Sequence, residues 1–155
     1  MHVYLVQHGE AVSKEENQDR PLSEKGAADV RAVGDFLYRN ADIVVPEIFH
    51  SGKLRTAETA ELLARCLNAA YDVGPDLQPN DDPGLWSAHL AARNKDAMLV
   101  GHLPHLERLA SLLLCGDADR RVVAFRNAGV VCLEWDEENV WHLNWAFTPD
   151  LLTLK

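Results

Sequence analysis

Met1-His-Val-Tyr-Leu-Val-Gln-His-Gly-Glu10 is the stretch on which the reading of this chain turns. Val3 to Val6 is a short, unbroken run of β-branched, aromatic and aliphatic residues, the pattern of a strand buried on both faces, as central parallel strands are. His8-Gly9 ends it at once. An imidazole followed by a glycine at the end of such a strand stands at the C-terminal lip of a sheet, where open α/β folds bind ligands and where glycine lets backbone approach closely.

Working outward, Ser13 to Pro21 is polar and reads as a loop long enough to fold over a site. Ser23 is placed as a helix N-cap, and Ala27, Val30, Val33, Phe36 and Leu37 follow at nearly helical spacing toward Asn40. Val44 to His50, interrupted by Pro46, reads as a second strand, with Ser51-Gly52 opening a helix that carries Leu62, Leu63, Cys66 and Leu67 on one face. Ala70 to Val73 is a weak third strand, and a Pro- and Asp-rich loop from Gly74 to Gly84 leads to a helix over Leu85 to Arg93. Ala97 to Val100 is another short apolar strand, and it too runs into a glycine and a histidine, Gly101-His102. A helix with Leu106, Leu109, Ala110 and Leu113 follows and ends near Gly116. Gly129 to Trp135 and Val140 to Trp145 read as a hairpin about Asp136-Glu-Glu-Asn139. The order predicts a three-layer α/β/α sandwich with a mainly parallel sheet and an antiparallel C-terminal hairpin. With 155 residues, it is expected to form a single domain spanning 1–155.

Composition narrows the function. A net charge of −9 argues against nucleic acid, because affinity there comes chiefly from Lys and Arg on phosphates. Three cysteines, Cys66, Cys115 and Cys132, are odd in number, far apart and set in apolar runs, so they read as buried thiols in a reducing compartment, and a cytoplasmic location is expected. No stretch approaches a membrane span. His102 and His105, three apart across Pro104, do not have the i, i+4 spacing of a helical zinc motif, so no metal is expected. His2, His89 and His142 read as surface or packed residues, and Trp86, Trp135, Trp141 and Trp145 as core or sheet-face residues.

In a parallel sheet all strand ends face one way, so His8, the segment from Ser51 to Arg55 and His102 are expected on one lip. Arg55 is placed about one turn into its helix, and Arg20 comes from the covering loop. Two guanidiniums, two imidazoles and a helix N-terminus suit a phosphate group.

The same residues resemble a known family. His8-Gly9-Glu10-Ala11, Arg20-Pro-Leu-Ser23, Ser51-Gly-Lys-Leu-Arg-Thr-Ala-Glu-Thr59, Gly101-His-Leu-Pro104, Asn144-Trp145 and Thr148-Pro149 stand in the order and at the spacing of the histidine phosphatase superfamily, of phosphoglycerate mutase-like fold. Within it the chain resembles the small phosphohistidine phosphatases of the SixA type. The resemblance implies that His8 is the nucleophile, forming a transient phosphohistidine, and that Arg20, Ser51, Arg55 and His102 hold the phosphoryl group, with no cofactor and with a phosphohistidine protein, in signal transduction, as substrate. A neutral imidazole is a competent nucleophile near neutral pH. Gly9 and Gly101 are expected to keep the backbone compact beside the two rings.

One position departs: the motif has arginine before the nucleophilic histidine, and this chain has Gln7. As a phosphate-binding residue Gln7 keeps a donor and loses the charge, so that either Lys53 or another base compensates, or turnover is slower, or the site only binds phosphate. Asp81 and Asp82 are candidates for a general acid, as are Glu10, Glu15 and Glu16. An imidazole leaving group protonated on its other nitrogen departs neutral and needs less proton donation than an alkoxide, so a weak acid fits an N–P bond better than an ester. Two alternatives stand beside the phosphohistidine phosphatase: a phosphate- or phosphohistidine-binding module without turnover, and a small-molecule phosphomonoesterase.

Overall fold

Strand β1 (His2–Gln7) is central to the sheet, and every residue from Val3 to Val6 is buried. In this computed structural model, which describes residues 1–40 and 43–153, the chain continues through α1 (Glu24–Asn40), β2 (Glu47–His50), α2 (Leu54–Leu67), β3 (Ala70–Val73), α3 (Pro83–Arg93), β4 (Ala97–Gly101), α4 (His105–Cys115), β5 (Val130–Trp135) and β6 (Trp141–Phe147), ending in a 3-10 turn at Pro149–Leu152. The sheet order is β3-β2-β4-β1-β5-β6. β1, β2, β3 and β4 run parallel, and β5 and β6 are antiparallel.

Alternation along β1 explains its unbroken apolar run. Tyr4 and Val6 face one core with Val30, Val33 and Leu37 of α1 and Ala60, Leu63 and Ala64 of α2. Val3 and Leu5 face the other, with Trp86 and Leu90 of α3 and Leu106 and Leu109 of α4. The chain steps outward from β1 to β2 to β3 and then turns back to insert β4 between β2 and β1. With right-handed crossovers this reversal sends α3 to the opposite face from α1 and α2, so both faces are covered.

Differences from the sequence reading have local causes. β2 starts at Glu47 rather than Val44, because Pro46 has no N–H for the ladder and Val44 lies exposed. α3 starts at Pro83, two residues early, because Asp82 caps it by accepting from Gly84 N at 2.9 Å and Pro83 occupies the first turn, where its missing N–H costs nothing. The hairpin's second strand runs on to Phe147, with a bulge between Cys132 and Leu133. Cys132 is buried and Cys66 half-buried, but Cys115 is exposed, off the core-facing stripe of α4. No helix of the described residues is long and apolar enough to cross a membrane.

Candidate active site

β2, β4 and β1 are neighbours, and their ends lie level, with His50 paired to Val100 and Gln7 to Gly101. The next residues, Ser51, His102 and His8, therefore leave the sheet side by side on one lip. His8 is held through its backbone: its N–H donates to Gly101 O at 3.2 Å, and its carbonyl accepts from Asn127 Nδ2 at 2.9 Å and Ala128 N at 3.2 Å. Gly9 N donates to Thr59 Oγ1 at 3.0 Å, and Thr59 donates to Arg55 O at 2.7 Å, which ties the His8 turn to the first turns of α2. A Cβ on Gly9 would come within 2.8 Å of Val30 Cγ2, so glycine is required there by space. Gly101 is not, since a Cβ would meet only Leu106 at ordinary contact distance.

Hydrogen-bond direction assigns both imidazole tautomers. His8 Nδ1 lies 2.7 Å from Gly9 O, and a carbonyl only accepts, so Nδ1 carries the proton and Nε2 the lone pair. Arg55 Nε points its N–H at that lone pair from 3.3 Å. On the other ring, Thr56 Oγ1 donates to Lys53 O at 2.7 Å, which uses its one proton. Ser51 must then donate to Thr56 across 2.9 Å, and His102 Nε2 must donate to Ser51 Oγ across 2.7 Å. Neutral His102 accordingly keeps its lone pair on Nδ1. The two rings meet edge to face at 5.3 Å between centroids.

Both rings are neutral at pH 7. Burial depresses His8 to about 4, with Arg55 and Arg20 adding to the effect and the Gly9 bond opposing it. Burial likewise depresses His102 to about 3, helped by Arg55, His8, Lys53 and His105. Arg55, the second residue of α2 rather than a turn further in, is lowered by burial and by Arg20. It remains a guanidinium at neutral pH.

The other expected residues divide. Arg20 is brought in by a left-handed backbone (φ 50°), with its Nε on Val12 O at 3.1 Å, in a loop closed by the Ala11–Leu22 bridge and by Glu58 accepting from Leu22 N. Lys53, the N-cap residue of α2, contributes charge at His102. Gln7 ends β1 with its Oε1 buried and without a hydrogen-bond partner. Asp81 accepts from Gln78 N at 2.8 Å and Asp82 caps α3, so these carboxylates are bound to their own loop, and their charges bear on buried His105 rather than on His8. Glu10 accepts from Ser23 Oγ at 2.9 Å. Among the described residues no three His, Cys, Asp or Glu side chains converge as a metal-ligand set.

Sequence reasoning missed several supports. Thr56 and Thr59, one turn apart on the buried face of α2, lie within the motif but had no role assigned. Gln78 steadies the Ser51 carbonyl through Nε2 at 2.7 Å. Asn127 holds His8 from 119 positions away, with no local signal to mark it.

Known proteins resemble this chain in sequence and in fold. The chain is 27% identical over 156 residues to the phosphohistidine phosphatase SixA of Escherichia coli (strain K12), covering 96% of this chain and 94% of that protein. The structure of the protein histidine phosphatase SixA complexed with tungstate matches with a TM-score of 0.87 at 27% identity, covering 99% of this chain and 100% of that one. The alpha-ribazole phosphatase from Shigella flexneri shares the fold, with a TM-score of 0.76 at 13% identity over 96% of this chain and 97% of that one. The sequence model of the histidine phosphatase superfamily (branch 1) matches residues 3–81, half of the chain and the half that carries His8, Arg20 and Arg55. With these matches and the two-histidine, two-arginine lip, the chain belongs to the histidine phosphatase superfamily.

Proposed function

We propose that the protein is a metal-independent phosphohistidine phosphatase that acts on a phosphoprotein in the cytoplasm, through a transient phospho-His8, with residues 1–155 as one domain. The observation that carries this reading is the His8 ring, neutral, with Nδ1 tied to Gly9 O, which leaves the lone pair on Nε2, where Arg55 meets it. In the first step Nε2 forms an N–P bond in line as the substrate's N–P bond breaks, and the departing imidazole leaves with the electron pair. Arg55 moves its N–H from Nε2 to the phosphoryl oxygens, with Arg20 and His102 around them. Water then cleaves the His8 N–P bond and releases phosphate. Positioning and charge supply most of what phosphoryl transfer needs.

The test is hydrolysis of a phosphohistidine protein beside a phosphate monoester, with His8→Ala as control and EDTA in a parallel arm. His8→Ala should lower turnover by at least about 10³-fold, and radiolabel should pass transiently onto His8 of the native chain. Retained turnover in the variant, or activity lost to EDTA and restored by zinc, would reject the reading. Gln7 favours one alternative, phosphohistidine binding without turnover, since the lip lacks the arginine charge at that position. Stable binding with no label on His8 would select it.

A further inference from the structure

Among the described residues, six basic side chains are spent on the chain's own carboxylates: Lys25, Arg65, Arg93, Arg108, Arg120 and Arg121 all form ion pairs. Lys14, Arg20, Lys53 and Arg55 have no carboxylate within 4.0 Å among those pairs, and all four line one cavity of about 570 Å³, with Gln18 and Asp19 on the same wall. In a chain of 24 acidic and 15 basic residues, that is a concentrated local excess of three positive charges.

A phosphoryl group does not account for it. Its four heavy atoms fill a few water volumes of ~30 Å³ each, and Arg20 and Arg55 with the two imidazoles already surround it. Lys14 is left over, on the loop that closes above Arg20, and exposed. Against the chain's net charge of −9, four basic side chains converging on one cavity give an acidic partner a local point of attraction.

We propose that this cavity is a docking groove for an acidic stretch flanking the phosphorylated histidine of the protein substrate, with Lys14 as its outer cation. The proposal rests on the phosphohistidine reading and adds what the substrate carries beside its phosphoryl group. Carboxylates next to the phosphohistidine replace the ion pairs that these cations do not make within the chain, and Gln18 offers an amide to the peptide backbone.

The experiment measures binding and turnover separately. Peptides bearing a non-hydrolysable phosphohistidine analogue, with either acidic or alanine flanks, are titrated into the native protein and into Lys14→Glu, while phosphoramidate turnover is followed in both. The acidic peptide should bind the native protein about tenfold more tightly than the alanine peptide at low salt, and the difference should shrink as salt rises. Lys14→Glu should erase that preference and leave phosphoramidate turnover unchanged. Equal affinity for both peptides, or a Lys14→Glu effect of equal size on the two, would overturn the groove. Absence of phosphohistidine turnover with the flank preference intact would instead count against the hydrolase reading alone.

Discussion

Gln7 poses the sharpest question at the level of single residues. Its Oε1 is buried without a partner, a condition that costs about 1–3 kcal/mol for a neutral polar group, and its side chain brings no charge to the lip. Gln7→Arg should tighten sulfate binding and raise turnover, because a unit charge about 4 Å from a phosphoryl oxygen is worth up to ~4 kcal/mol at an effective dielectric near 20, and less once Arg20, Arg55 and water screen it. Kinetics of both proteins on one phosphohistidine substrate check this. A fall in activity at unchanged stability would mean that the site is adjusted around glutamine, with Lys53 serving as the compensating cation.

At the level of elements, the site depends on how closely α1 and α2 approach the His8 turn. Gly26, in the first turn of α1, has no room for a side chain, since a Cβ would sit 2.0 Å from Glu10 O. Gly26→Ala gains up to about 1 kcal/mol in helix propensity but forces the turn outward, and overpacking of this kind costs about 1–3 kcal/mol. The expected result is a lower denaturation midpoint together with lower turnover, because Glu10 is two residues from the nucleophile; a stabilised, fully active variant would show that the turn yields freely. The start of α3 separates two roles for one carboxylate. If Asp82 only caps the helix, Asp82→Ala costs about 1 kcal/mol of stability and leaves kcat intact. A fall in kcat of about 10²-fold or more would mark it as a proton donor.

Across the whole molecule, the buried histidines couple stability to pH. His8, at about 4, and His102, at about 3, are both depressed from 6.5, and His50 and His105 are lowered too. Between those values and 6.5 the unfolded chain binds more protons than the folded one, so stability is full above pH 6.5 and falls as pH drops through that window. Each unit of depression is worth about 1.4 kcal/mol. Sulfate, a dianion throughout this range, favours the protonated rings when it sits on the lip. It should therefore raise Tm more at pH 5 than at pH 8, as thermal melts with and without sulfate would report. Equal gains at both pH values would place the sulfate away from the histidines.

The local pattern by itself determined the elements and the lip. An apolar run too short for a helix and ending on His8, repeated at His102, marks strand ends, and parallel strands turn such ends to one side. The Ser23 cap, the break at Pro46 and the stop at Gly116 are legible because their causes lie within a turn of the residue concerned. The tertiary structure alone decided which proton the His102 imidazole carries, that Asn127 holds His8, and that Lys14 joins Lys53 and Arg55 in one groove. Hydrogen-bond direction, burial and charge convergence are properties of groups distant in the chain and close in space, and no local pattern encodes them.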